Sequence, residues 1–129
     1  MQNQRKFKAV KENTEGDFYV EDGCCTMCGV PHAEAPEHFG GFDEKGEVTH
    51  DQCFVKKQPQ TPQEEQLMVN AMAAQEMLCI RYCGSKKEIL QKLVEAGEET
   101  QIDHLDKNAI QHESKSNSLW QQFINFIKP

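Results

Sequence analysis

The chain has no apolar run near the roughly 18 residues that a membrane-spanning helix needs, so a spanning protein is not expected. It is also short of hydrophobic residues, 37%, where an average domain has about 45–50% with glycine counted in. Aromatic residues make up 8%, with one Trp. Over 129 residues this provides for one modest core and not two. Basic residues are outnumbered, 14 Lys and Arg against 21 Asp and Glu, for a net charge of -7. That excludes non-specific nucleic-acid binding, which runs on excess Lys and Arg. It likewise excludes attraction to an anionic membrane surface. The partner expected from charge complementarity is a basic protein.

Catalytic signatures are also missing. Gly40-Gly41 and Cys83-Gly84-Ser85-Lys86 lack the Gly-x4-Gly-Lys-Ser/Thr spacing of a phosphate loop. The five histidines, His32, His38, His50, His104 and His112, are scattered and form no triad-like spacing. The expectation is a non-enzymatic protein. The start, Met1-Gln-Asn-Gln-Arg-Lys-Phe-Lys, is polar and has no apolar leader segment, which points to the cytoplasm.

What the sequence does have is cysteine: six, at 24, 25, 28, 53, 79 and 83. In a chain read as cytoplasmic, a metal, a cluster or inert buried thiols outrank a disulfide framework. Cys25-x2-Cys28 is the informative spacing. It suits a zinc or iron–sulfur ligand pair, with His32 as a further zinc donor, or a thiol-exchange pair.

Local patterns predict an α+β chain. Phe18-Tyr19-Val20 reads as a strand entering the cysteine segment, and Pro31 to His38 leaves room for a short helix only. Phe42 to Gln58 reads as a hairpin turning at Asp43-Glu44-Lys45-Gly46. Thr61, Pro62 and Glu64 form a capping box opening a helix that runs to Leu78, with Leu67, Met68, Ala71, Met72 and Leu78 as its stripe. Cys79 to Tyr82 is a strand, and Ser85 to Glu88 a second capping box opening a helix that stops at Gly97. The expected organisation is an N-terminal segment 1–15, a body 16–97, a polar linker 98–116 and an amphipathic helix 117–129. In that helix Leu119, Trp120, Phe123, Ile124 and Ile127 share a face, and Trp120, Phe123 and Ile124 are candidate partner-binding residues.

The segment from Val20 to Phe39, with Cys25, Cys28, Gly29, Pro36, Glu37 and Phe39, resembles the cluster loop of bacterial-type single-cluster ferredoxins, whose pattern is Cys-x2-Cys-x2-Cys-x3-Cys-Pro. The hairpin and the segment 73–82 resemble the second half of that family, so the resemblance covers about residues 16–83. It implies a ferredoxin-like body with the C-terminal helix as an addition. It also implies that Pro31 and Ala35 stand where the third and fourth cysteines belong, and Gln75 where the remaining ligand belongs. The standard four-iron cluster is therefore not expected, and no cofactor is the first expectation. The alternative is zinc or an iron–sulfur cluster on Cys25, Cys28, Cys53 and Cys79, for a structural zinc module or an electron carrier with non-standard ligands. Degenerate ferredoxin-like proteins are similar to the small immunity proteins that neutralise basic bacterial toxins, so the resemblance implies an acidic protein-binding role.

Overall fold

In the computed structural model, which describes residues 4–105, the chain is an α+β protein. The continuous apolar run Phe18–Val20 forms β1, and all three side chains are buried. It pairs antiparallel with the last strand β4, Ile80–Tyr82, in the register Phe18↔Tyr82, Tyr19↔Arg81 and Val20↔Ile80. A second small sheet pairs β2, Phe39–Gly40, with β3, Phe54–Val55. Helix α1 spans Val30–Glu34, α2 spans Pro62–Ala74 and α3 spans Lys87–Glu95. No helix among the described residues is long and apolar enough to cross a membrane. The expected helix at 117–129, with Trp120, Phe123 and Ile124, lies outside the described residues.

The hairpin turn is where local chemistry put it. Asp43 Oδ1 accepts from the Lys45 and Glu47 backbone N–H groups, both at 2.9 Å, and Gly46 takes the positive φ of 83° that the turn requires. The hairpin begins earlier than expected, because β2 starts at Phe39. The Thr61 hydroxyl caps α2 by accepting from Glu64 N–H at 3.1 Å. The return bond of the capping box is displaced by one residue, since Glu64 Oε1 accepts from Gln60 N–H at 2.8 Å. Helix α2 ends at Ala74, short of Leu78, because the Gln75 carboxamide oxygen captures the Cys79 and Ile80 N–H groups at 3.0 and 3.1 Å. Leu67 and Leu78 consequently fall outside the core, 38% and 52% exposed, while Met68, Ala71 and Met72 are fully buried.

At α3 the N-cap is Lys86 and not Ser85, and no side chain caps it. Lys86 instead holds the buried Glu65 of α2 at 2.5 Å and donates its N–H to the Tyr82 hydroxyl at 3.2 Å. The helix stops in a Schellman arrangement: Gly97 N–H bonds Val94 O and Glu98 N–H bonds Leu93 O, with Gly97 at φ 78°. Residues 98–105, read from composition as the start of a linker, pack on the body. A 3₁₀ turn, Glu99–Gln101, brings Ile102 beside Tyr82, and Gln101, Ile102 and Asp103 are buried.

The two sheets are joined by polar side chains. Asn13 Oδ1 accepts from Val20 N–H of β1 at 3.1 Å and from Val55 N–H of β3 at 2.8 Å. Its Nδ2 donates to the Val10 and Val20 carbonyls at 2.7 and 3.0 Å. Gln58 brackets Phe18 from the other end, accepting its N–H at 3.0 Å and donating to its carbonyl at 2.8 Å. A buried acceptor or donor left unmade costs about 1–3 kcal/mol. We therefore expect Asn13→Ala to lower unfolding stability by about 3 kcal/mol, read as a shift in the urea midpoint at unchanged m-value. A shift below about 0.5 kcal/mol would show that water replaces the amide and that the sheets are held by packing alone.

Candidate functional site

The cysteine segment follows β1 through a turn at residues 22–24, and its first two cysteines reach different partners. Cys24 turns towards the start of β4 and forms a disulfide with Cys79, S–S 2.06 Å, across 55 residues. Cys25 turns towards the hairpin and lies 3.0 Å from the Cys53 sulfur. The hairpin can come this close because residue 41 is glycine. At its φ of 118° an added Cβ would stand 3.0 Å from Cys53 Cα and 3.2 Å from Gln52 O. Beyond Cys25 the chain bends sharply, with Met27 in the left-handed region at φ 59°, and Gly29 at φ 80° opens α1.

The bend aims donors at one sulfur. Cys25 Sγ accepts from the Met27 and Cys53 backbone N–H groups, each at 3.3 Å. The Cys53 thiol, facing it at 3.0 Å, is its strongest partner. That contact, then the two backbone N–H groups, holds the Cys25 thiol well below the ordinary range against the opposing effect of burial. Cys53 moves the other way: its bond to Cys25 and then its own burial keep it protonated. Cys25 is half-buried and Cys53 is buried. Met27 Sδ sits 3.7 Å from Cys25 Sγ, so the neighbourhood is soft and polarisable.

Cys25, Cys28, Cys53 and Cys79 all line one pocket, together with Met27, Pro31, His32, Phe42, Gln75 and Met77. The space it encloses is small, about 20 Å³, enough for one water molecule. The sequence-derived residues therefore converge, but not as four thiolates. Cys79 has its sulfur in the bond to Cys24, and Pro31 and the fully buried Ala35 offer no donor. Among the described residues no group of three or more His, Cys, Asp and Glu is arranged to hold a metal ion. The residues present thus do not fit a four-thiolate group while the disulfide stands. Cys83 is buried elsewhere, and burial, its largest cause, pushes its thiol up to about 11.

Two participants escaped the sequence reading. Cys24 fits no ligand spacing, and no local pattern singles out its bond to Cys79. Gln75 was read only as a lost ligand. It lines the pocket, and its Nε2 is buried with no hydrogen-bond partner.

A bond closing a 55-residue separation stabilises by about 4 kcal/mol on the chain-entropy account. Cys24→Ser with Cys79→Ser should therefore lower stability by about that amount in urea, with β1–β4 retained in the circular dichroism spectrum. An unmoved midpoint would show that the bond contributes nothing to the native state. Comparisons of the chain with protein-family models, with curated proteins and with solved structures found no match.

Proposed function

We propose that the protein is a non-enzymatic, acidic binding protein on a ferredoxin-like scaffold, whose partner is a basic protein and whose role is that of an immunity protein against a basic toxin. The scaffold reading rests on the residue pattern of 16–83; within that span β1 pairs with β4 and β2 with β3. The observation that carries the binding role is the composition of the segment that supplies one wall of the pocket. Residues 30–55, which supply His32, Phe42 and Cys53 to the pocket, hold six acidic residues and one Lys. Of these, Glu34, Glu37, Glu44, Glu47 and Asp51 are exposed. Met77, which lines the pocket, and its neighbour Leu78 are 49% and 52% exposed. An apolar centre beside a charged rim is the composition of a protein-binding face.

One observation favours a second reading. Cys25, Cys28, Cys53 and Cys79 do line one pocket, so reduction of the Cys24–Cys79 bond would free a fourth thiol for zinc or an iron–sulfur cluster. The disulfide also bears on location, since cytosolic thiols are mostly kept reduced.

The test is binding of a basic nuclease-type protein by calorimetry, with Glu44→Lys and Glu47→Lys combined. Rim charges steer association, so affinity at low salt should fall about tenfold, and the loss should shrink as salt is raised. Affinity indifferent to both the substitutions and salt would overturn the proposed face. Anaerobic treatment of the reduced protein with iron and sulfide should leave no stable visible chromophore. A stoichiometric, cysteine-dependent one would install the second reading in its place.

A further inference from the structure

We propose that Cys25 and Cys53 form a dithiol–disulfide exchange centre, with Cys25 as the attacking sulfur, Cys53 as the resolving sulfur, and a disulfide carried by a cationic molecule as the substrate. The pairing is not the one the Cys25-x2-Cys28 spacing suggests; the geometry pairs Cys25 across the fold with the hairpin.

The first support is distance. The two sulfurs stand 3.0 Å apart and are not bonded to each other. A disulfide needs about 2.05 Å, so the bond closes with a shift of about 1 Å. The second is the division of exposure. Cys25 is half-buried while Cys53 is only 6% exposed, so an incoming disulfide meets Cys25 first. The third is activation. Two backbone N–H groups converge on Cys25 Sγ at 3.3 Å, and hydrogen bonds to sulfur favour the thiolate, the form that attacks. Met27 is held in a left-handed conformation in making one of them, and non-glycine residues keep such conformations only where the surroundings enforce them.

The fourth support points to the ligand. Gln75 is 9% exposed, lines the pocket, and has an Nε2 with no partner. A buried donor of this kind needs an acceptor, and a carbonyl or other acceptor near the substrate's sulfur would supply it. The charge of the substrate follows from the segment that supplies Pro31, His32, Phe42 and Cys53 to the pocket. Residues 30–55 hold six acidic residues against one Lys, and such a field raises the local concentration of cations and repels anions.

The step balances. Cys25 thiolate attacks one sulfur of R–S–S–R, forming Cys25–S–S–R and releasing R–S⁻, which takes a proton from water. Cys53 then gives its proton to the second departing R–S⁻ as its sulfur attacks Cys25 Sγ. The products are a Cys25–Cys53 disulfide and two R–SH. The two electrons that reduce the substrate come from the two protein thiols.

The experiment uses the full chain with its Cys24–Cys79 bond intact and cystamine, a dicationic disulfide, as probe. Products are trapped by alkylation and mapped by mass spectrometry. The expected result is loss of two thiols with a cross-linked Cys25–Cys53 peptide, two cysteamines released, and Cys28 still alkylated. With Cys53→Ser, one cysteamine should remain on Cys25 as a stable mixed disulfide. On the unsubstituted chain, which guards against a misfolded variant, Cys25 should be alkylated at pH 7 about tenfold faster than Cys28. Raised salt should slow cystamine but not the anionic glutathione disulfide. A Cys25–Cys28 product, or equal modification of the two, would overturn the pairing. Identical salt response of the two probes would overturn the cationic substrate.

Discussion

Two adjacent cysteines that reach different partners set the shape of this molecule. Cys24 fixes the loop to the start of β4, and Cys25 brings the same loop against the hairpin at Cys53. The loop is thus gripped by both halves of the chain within two residues of each other. A protein with 37% hydrophobic residues has little apolar surface to spend on joining two two-stranded sheets. Covalent and polar links take over that task. Everything that makes the pocket chemically distinctive, the bend at Met27, the approach of the hairpin at Gly41 and the seating of Gln75, is arranged around that double attachment.

The polar links follow one logic. Asn13 and Gln58 complete the backbone bonding of strands that are too short to complete it with one another. At the far edge, Asp103 accepts from the Tyr19 hydroxyl, from Arg81 Nε at 2.6 Å and from Lys6 N–H at 2.8 Å. Burial, and then the bond to Asp103, hold the Tyr19 hydroxyl far above its usual range, so it stays a donor throughout the physiological span. Arg81 lies over the Phe7 ring at 4.1 Å, which closes the apolar side of the same network. A buried cluster in which one Asp meets an Arg, a Tyr and a backbone N–H satisfies the carboxylate, and a satisfied carboxylate is what makes its burial affordable.

The elements that were legible in the sequence are those made by short-range rules. Phe18–Val20, the Asp43–Gly46 turn, the Thr61 cap and the Gly97 stop each depend on residues within four or five positions. The misreadings share a cause, which is that polar side chains act over longer range. Gln75 ends α2 by reaching the next strand, and a stripe that ran on to Leu78 gave no sign of it. Lys86 takes the N-cap of α3 because its side chain is needed by Glu65. Residues 98–105 look like a linker because they are polar, yet Gln101 and Asp103 are buried by hydrogen bonding, which hydropathy does not register. The candidate site was legible as a list of cysteines and illegible as a pairing. Spacing along the chain selects Cys25 with Cys28, whereas the direction in which each side chain leaves the backbone selects Cys25 with Cys53 and Cys24 with Cys79.

An acidic chain is an unfavourable place for a thiolate, and the magnitudes show why the Cys25 thiol is nevertheless held below its ordinary range. A carboxylate about 10 Å away across water acts on the sulfur with about 0.4 kcal/mol, and salt at physiological strength, with a screening length of about 8 Å, removes most of that. A hydrogen bond to a charged acceptor contributes about 1.5–3 kcal/mol and is not screened at contact distance. Cys25 receives three such contacts, from the Cys53 thiol and from the Met27 and Cys53 backbone N–H groups. The local donors therefore outweigh the net charge of -7, and the two effects act on different things. The contacts at 3.0 and 3.3 Å decide the protonation of the sulfur. A diffuse field acts instead on charged molecules approaching through solvent. An acidic surface and a reactive thiolate are thus compatible, because one works at contact and the other over several water layers.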